Sequence, residues 1–126
     1  MKIGMTSVLV NDPVEAFEIY TKKLGFIEVL YMPEAQLAIV ASADDPNGTA
    51  LLLEPMGFEF ARTFQEEVRK AGLPIIVFTS DNIQKEYERL LEAGVKFKKL
   101  PTKTDWGIEA IFDDGCGNYI QLQQMN

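Results

Sequence analysis

"VLVNDPVEAFEIYTKKLGF", Val8 to Phe26, decides the fold because it returns as "FTSDNIQKEYERLLEAGV", Phe78 to Val95. Each copy reads as a short strand, an Asp/Asn cap, an amphipathic helix and a glycine stop. In the first copy, Asp12 is placed to cap the helix, Pro13 suits the first helical position and Glu15 lies near the positive helix end. Ala16, Phe17, Tyr20 and Leu24 recur at helical spacing, and Gly25 ends the turn. In the second copy, Ile83, Tyr87, Leu90 and Leu91 form the stripe and Gly94 the stop. The offset is 70 from Asp12 to Asn82 and 69 from Gly25 to Gly94, so the halves align almost without gaps.

Three strand-like segments follow each helix. They are "FIEVLYM", "QLAIVAS" and "TALLLEP" in the first half, and "VKFKKL", "IEAIFD" and "NYIQLQQ" in the second. Turns such as "ADDPNG" and "DDGCGN" separate them. A further helix, Glu59 to Ala71, carries Ala61, Phe64 and Val68 on one face and ends at Gly72. The spacing predicts an α+β chain of two β-α-β-β-β modules, with curved mixed sheets around a central hollow and helices outside. It reads as one domain: module one over 1–57, a helical connection over 58–72 and module two over 73–126.

Composition narrows the function classes. The chain has 126 residues, 47% of them hydrophobic and 25% charged, as in ordinary globular proteins. A net charge of −7 offers no basic footprint for nucleic acid and is repelled by anionic lipid. No apolar run is long enough to span a bilayer, and "MKIGMTSVLVND" lacks a secretory signal, so a cytoplasmic location is expected. Cys116 is the single cysteine, which excludes an intrachain disulfide. With no histidine, any metal would rest mainly on oxygen ligands.

In the order of "VND…AFEIYTKKLGF", "LLLEP", "DNIQKEYERLLEAGV" and "FDDGCGNYIQL", the chain resembles the vicinal oxygen chelate superfamily. That superfamily contains glyoxalases, extradiol dioxygenases, methylmalonyl-CoA epimerases and bleomycin-resistance proteins. The resemblance implies four metal ligands, one from each of four strands, commonly histidine or glutamine and glutamate. The matching positions here are Met5, Leu51, Ile75 and Gln121. A thioether, two aliphatic chains and one neutral amide cannot hold a hard divalent ion. The expectation is therefore no metal and no cofactor.

Strand alternation assigns Met5, Ser7, Leu51, Leu53, Ile75, Val77, Tyr119, Gln121 and Gln123 to the hollow. The aliphatic ones read first as core. Gln121 and Gln123 need hydrogen-bond partners from protein, water or ligand. Trp106, in "TKTDWGIEA", reads either as a flat wall for a ligand or as a lid on the core. Phe58 and Phe60 carry the same two readings, and Glu54 and Glu109 read as solvated acids or, if buried, as bases. Cys116 and the Asp113–Asp114 pair read as parts of a turn. The resemblance to bleomycin-resistance proteins implies a homodimer that binds a small organic molecule. The alternatives are a lyase or isomerase of the glyoxalase kind, or a metal-independent enzyme using Glu54 or Glu109.

Overall fold

The computed structural model describes residues 1–126 and divides them into two compact units, Met1–Phe64 and Gln65–Asn126. The first holds β1 (Met5–Val10), α1 (Pro13–Glu18), β2 (Ile27–Met32), β3 (Leu37–Ala41) and β4 (Ala50–Pro55). Its sheet runs β1-β4-β3-β2, with β1 and β4 parallel and the other pairs antiparallel. The second unit holds β5 (Pro74–Thr79), α3 (Ile83–Glu92), β6 (Lys96–Thr104), β7 (Gly107–Asp113) and β8 (Tyr119–Met125). Its order, β5-β8-β7-β6, repeats the first, again with only the first pair parallel. Between the first-unit strands and β5 runs α2 (Glu59–Lys70). The α+β class and the two β-α-β-β-β modules are as the sequence predicts, and neither sheet closes into a barrel.

The caps form where the sequence places them. Asp12 Oδ1 accepts from the Val14 N–H at 2.9 Å, and Asn82 Oδ1 accepts from the Lys85 N–H at 3.1 Å. After Glu18 the first helix widens into a π turn, Ile19–Lys23, in which the Leu24 N–H reaches back to Ile19 O at 3.0 Å. Gly25 and Gly94 then take the left-handed conformation that ends each helix (φ 88° and 87°).

Each helix covers one face of its own sheet. In the first unit, Ala16, Phe17 and Tyr20 are buried with Val8, Val10, Val40 and Leu53, and the Phe17 ring stacks on Tyr31 with centroids 3.8 Å apart. In the second, Ile83 and Leu90 are buried with Phe112, Ile120 and Leu122, while Tyr87 meets Phe97 edge-on at 4.7 Å. Leu91 is exposed, so the stripe of α3 is narrower than the sequence spacing implies.

The buried face of α2 differs from the expected one. Phe64 is 53% exposed, whereas Gln65 is buried with Ala61. Gln65 is drawn in because its Nε2 donates to Cys116 O (3.3 Å) and Asn118 Oδ1 (3.4 Å) in the turn between β7 and β8. Gly117 makes this approach possible. Its φ is +102°, and a Cβ there would lie 2.7 Å from Gln65 Nε2. One turn further along α2, Arg69 Nη2 pairs with Asp113 Oδ2 at 2.7 Å. Partial burial pushes the Asp113 carboxyl up, but the Arg69 bond, the Gly115 N–H and the charges of Arg69 and Lys96 outweigh it and hold it below the usual carboxylate range.

Candidate functional site

Alternation and cross-strand register decide which side chains share a surface. In the second unit, Ile120 and Leu122 of β8 pair with Ile76 and Phe78 of β5 on the face that α3 covers. The opposite face is the more open one: Val77 and Thr79 are exposed and Gln121 is half-buried, whereas Gln123 is buried and Arg69 of α2 lies over Tyr119 at the end of the face. On it Val77 lies beside Gln121, which lies beside Ile111 of β7; in the next row Thr79, Gln123 and Glu109 are neighbours. Tyr119 belongs to this face as well, by alternation along β8, whereas the register shifts between Pro74 and Ile76 and leaves Ile75 at the irregularity, outside the paired rows. The predicted residues Val77, Tyr119, Gln121 and Gln123 thus share one face, and Ile75 stands at the register shift of β5.

In the first unit the result is mixed. Across the parallel β1–β4 pair, Met5 lies opposite Ala50 and Ser7 opposite Leu52, and both Met5 and Ser7 are exposed. Leu51 and Leu53 lie opposite Thr6 and Val8 and are buried, 6% and 0% exposed, on the helix-covered face. Their assignment to the same surface as Met5 and Ser7 is therefore corrected by one residue. Leu52 and Glu54 occupy that surface. The cause is the run "ALLLEP", apolar at consecutive positions, in which alternation alone does not fix the phase.

The two glutamines of this face form one connected chain with a backbone carbonyl. Gln121 Nε2 donates to Gln123 Oε1 at 3.0 Å, and Gln123 Nε2 donates to the Trp106 carbonyl at 3.3 Å. Trp106 sits in the tight turn of the β6–β7 hairpin, between Thr104 and Gly107, which face each other across the ladder. Its indole is 75% exposed, so it is no lid on the core. Gln123 is 5% exposed and Gln121 is half-buried. In the adjoining row, Lys99 Nζ pairs with Glu109 Oε1 at 2.5 Å, which occupies the carboxylate that was a candidate base. Glu54, half-buried on the first sheet, has Leu9 as its cross-strand neighbour.

Other candidates are committed elsewhere. The Tyr119 ring receives Arg69 and Lys98, each 4.6 Å from its centroid, so a ligand would meet a ring already in cation–π contact. Phe58 and Phe60 stack on each other at 5.1 Å and are exposed. Cys116 and Asp114 are buried inside the β7–β8 turn, as turn-forming residues. Sequence reading missed Ile111, Lys99 and Leu52; the strand pairing that brings them in is not visible in a linear pattern. A separate cleft of about 350 Å³ lies around Thr104, Ile108, Gln124 and Met125 at the end of the same sheet.

The residues present do not fit the metal that the fold family implies. No group of three or more His, Cys, Asp or Glu side chains is close enough to hold an ion. Gln121 brings one neutral carbonyl oxygen, flanked by Val77 and Ile111, and the corresponding positions on the first sheet are Ser7 and Leu52. No helix is long and apolar enough to cross a membrane.

Known proteins match this arrangement along the whole chain. YurT of Bacillus subtilis (strain 168) is 46% identical over 126 residues, covering 98% of this chain and 99% of that protein. Among solved structures, UcmS2 superposes with a TM-score of 0.81 at 28% identity, over 98% of this chain and 97% of that one. TnmS3, an antibiotic binding protein from Streptomyces sp. CB03234, superposes with a TM-score of 0.79 at 26% identity, over 100% and 97%. With residues 2–122 matched by the family model as well, the chain belongs to the Glyoxalase/Bleomycin resistance protein/Dioxygenase superfamily.

Proposed function

We propose that this chain is a binding protein that holds a small organic molecule against the open face of its second sheet, without a metal. One observation carries the reading: a neutral, half-buried amide, Gln121, stands between Val77 and Ile111 on the strand face opposite the one that α3 covers. Apolar walls with one oriented polar group suit recognition. Glyoxalase-type chemistry needs a metal-polarised oxygen and a free carboxylate base, whereas Gln121 is uncharged and Glu109 is engaged by Lys99. The likeness to TnmS3 supports the same reading, since that protein is an antibiotic binding protein. The test is a thermal-shift screen against aromatic and cationic small molecules, followed by calorimetry. Gln121→Leu keeps the volume and removes the amide. We expect it to weaken the best ligand by about ten- to a hundredfold, corresponding to roughly 1–3 kcal/mol. Unchanged affinity in a folded variant places the site elsewhere; a screen without hits removes the binding reading.

The protein is further proposed to work as a cytoplasmic homodimer. Each sheet has free edges, and Met5, Val77 and Leu100 leave apolar surface exposed, which a second copy would cover. Native mass spectrometry of protein purified without chelator reads both assembly and metal content. The expected species has twice the 14.2 kDa of one chain and no bound transition metal. A 14.2 kDa species at micromolar concentration overturns the dimer, and one zinc, nickel, iron or manganese per chain overturns the metal-free reading.

A further inference from the structure

The direction of the amide chain on β8 is set from its far end. The Trp106 carbonyl can only accept, so Gln123 must turn its NH2 toward it. That leaves Gln123 Oε1 facing Gln121, which must then turn its own NH2 inward to donate. Burial of Gln123 removes the option of turning to water instead. Gln121 Oε1 is consequently the atom presented to the open face, and nothing in the chain donates to it. The Trp106 carbonyl is in turn held by the hairpin. Gly107 has φ +125°, and a Cβ there would fall 2.0 Å from the Gln124 carbonyl, so glycine is what lets the hairpin approach β8 this closely.

We infer that the Trp106–Gln123–Gln121 chain makes the site selective for an aromatic ligand that carries a hydrogen-bond donor, a hydroxyl or N–H, over an otherwise equal ligand that can only accept. The inference rests on the binding reading above. Gln123 is the positioning residue: it touches no ligand and acts by holding the Gln121 amide in one orientation. A ligand without a donor leaves Gln121 Oε1 desolvated and unpaired, whereas a hydroxyl satisfies it.

Two probes of nearly equal shape separate the possibilities. 1-Naphthol donates and 1-methoxynaphthalene only accepts; both are titrated by calorimetry into the wild-type protein and into Gln123→Met. Wild type should favour naphthol by roughly tenfold. In Gln123→Met the Gln121 amide is free to turn, and the ratio should fall to about threefold or less with the methoxy compound binding no worse. Equal binding of the two probes to wild type overturns the inference and leaves the binding reading standing. Binding of neither probe at millimolar concentration removes both. A ratio that survives in folded Gln123→Met shows that Gln121 is oriented without its neighbour and also overturns the inference. The wild-type ratio decides alone if the variant does not fold.

Discussion

Asp114→Ala should lower the stability of the protein by about 3–5 kcal/mol, the cost of orphaning several buried donors at once. The carboxylate is 2% exposed, and three hydrogen bonds converge on it. Oδ1 accepts from the Cys116 N–H at 2.7 Å and from the Asn118 N–H at 3.0 Å, while Oδ2 accepts from Asn118 Nδ2 at 3.0 Å. Alanine removes both carboxylate oxygens and leaves those three donors without the acceptor they share. The loss also spreads outward, because Asn118 Oδ1 and Cys116 O are what hold Gln65 of α2. A melting temperature lower by roughly 10 °C or more is the expected reading for a chain of this length. Asp113→Asn is the control. Its ion pair with Arg69 is partly exposed, and its loss should cost about 1 kcal/mol or less. If the two variants melt together, the carboxylate at 114 is not the centre of the turn.

That turn shows where the sequence was legible and where it was not. "DDGCGN" announces a turn through its composition, and the repeat marks both helices by their caps and glycine stops. Such signals are local, each set by a few adjacent residues. The division of labour inside the turn is not local. Asp113 reaches Arg69 and Asn118 reaches Gln65, partners 44 and 53 residues away. Gln65 also shows why a polar residue on an amphipathic helix is easily assigned to solvent: its burial depends on carbonyls from a distant loop. The open face of the second sheet was largely readable, because β8 alternates strictly between Ile120, Leu122 and the two glutamines. The direction of the amide chain was hidden, since it depends on the Trp106 carbonyl in another hairpin.

On β4 the sequence was ambiguous, and a pair of substitutions separates the two readings. Leu51→Ala should cost about 2–5 kcal/mol, as for a leucine removed from a packed core, with no direct effect on ligand affinity. Leu51 is 6% exposed and lies opposite Thr6, in line with the buried Leu53 and Val8. Leu52→Ala should cost clearly less, because its side chain is half-buried and lies opposite Ser7 on the face without a helix. The physical origin of the difference is the parallel register with β1. A shift by one residue exchanges every side chain of β4 between faces, and Glu54 would then enter the helix-covered core as an unpaired charge. In the observed register Glu54 shares the open face with Leu52, while Leu51 and Leu53 fill the space beneath α1. Urea denaturation of both variants gives the comparison directly. Equal losses, or a larger loss at Leu52, would mean that β4 sits one residue out of the register described, and would return Leu51 to the surface shared with Met5 and Ser7.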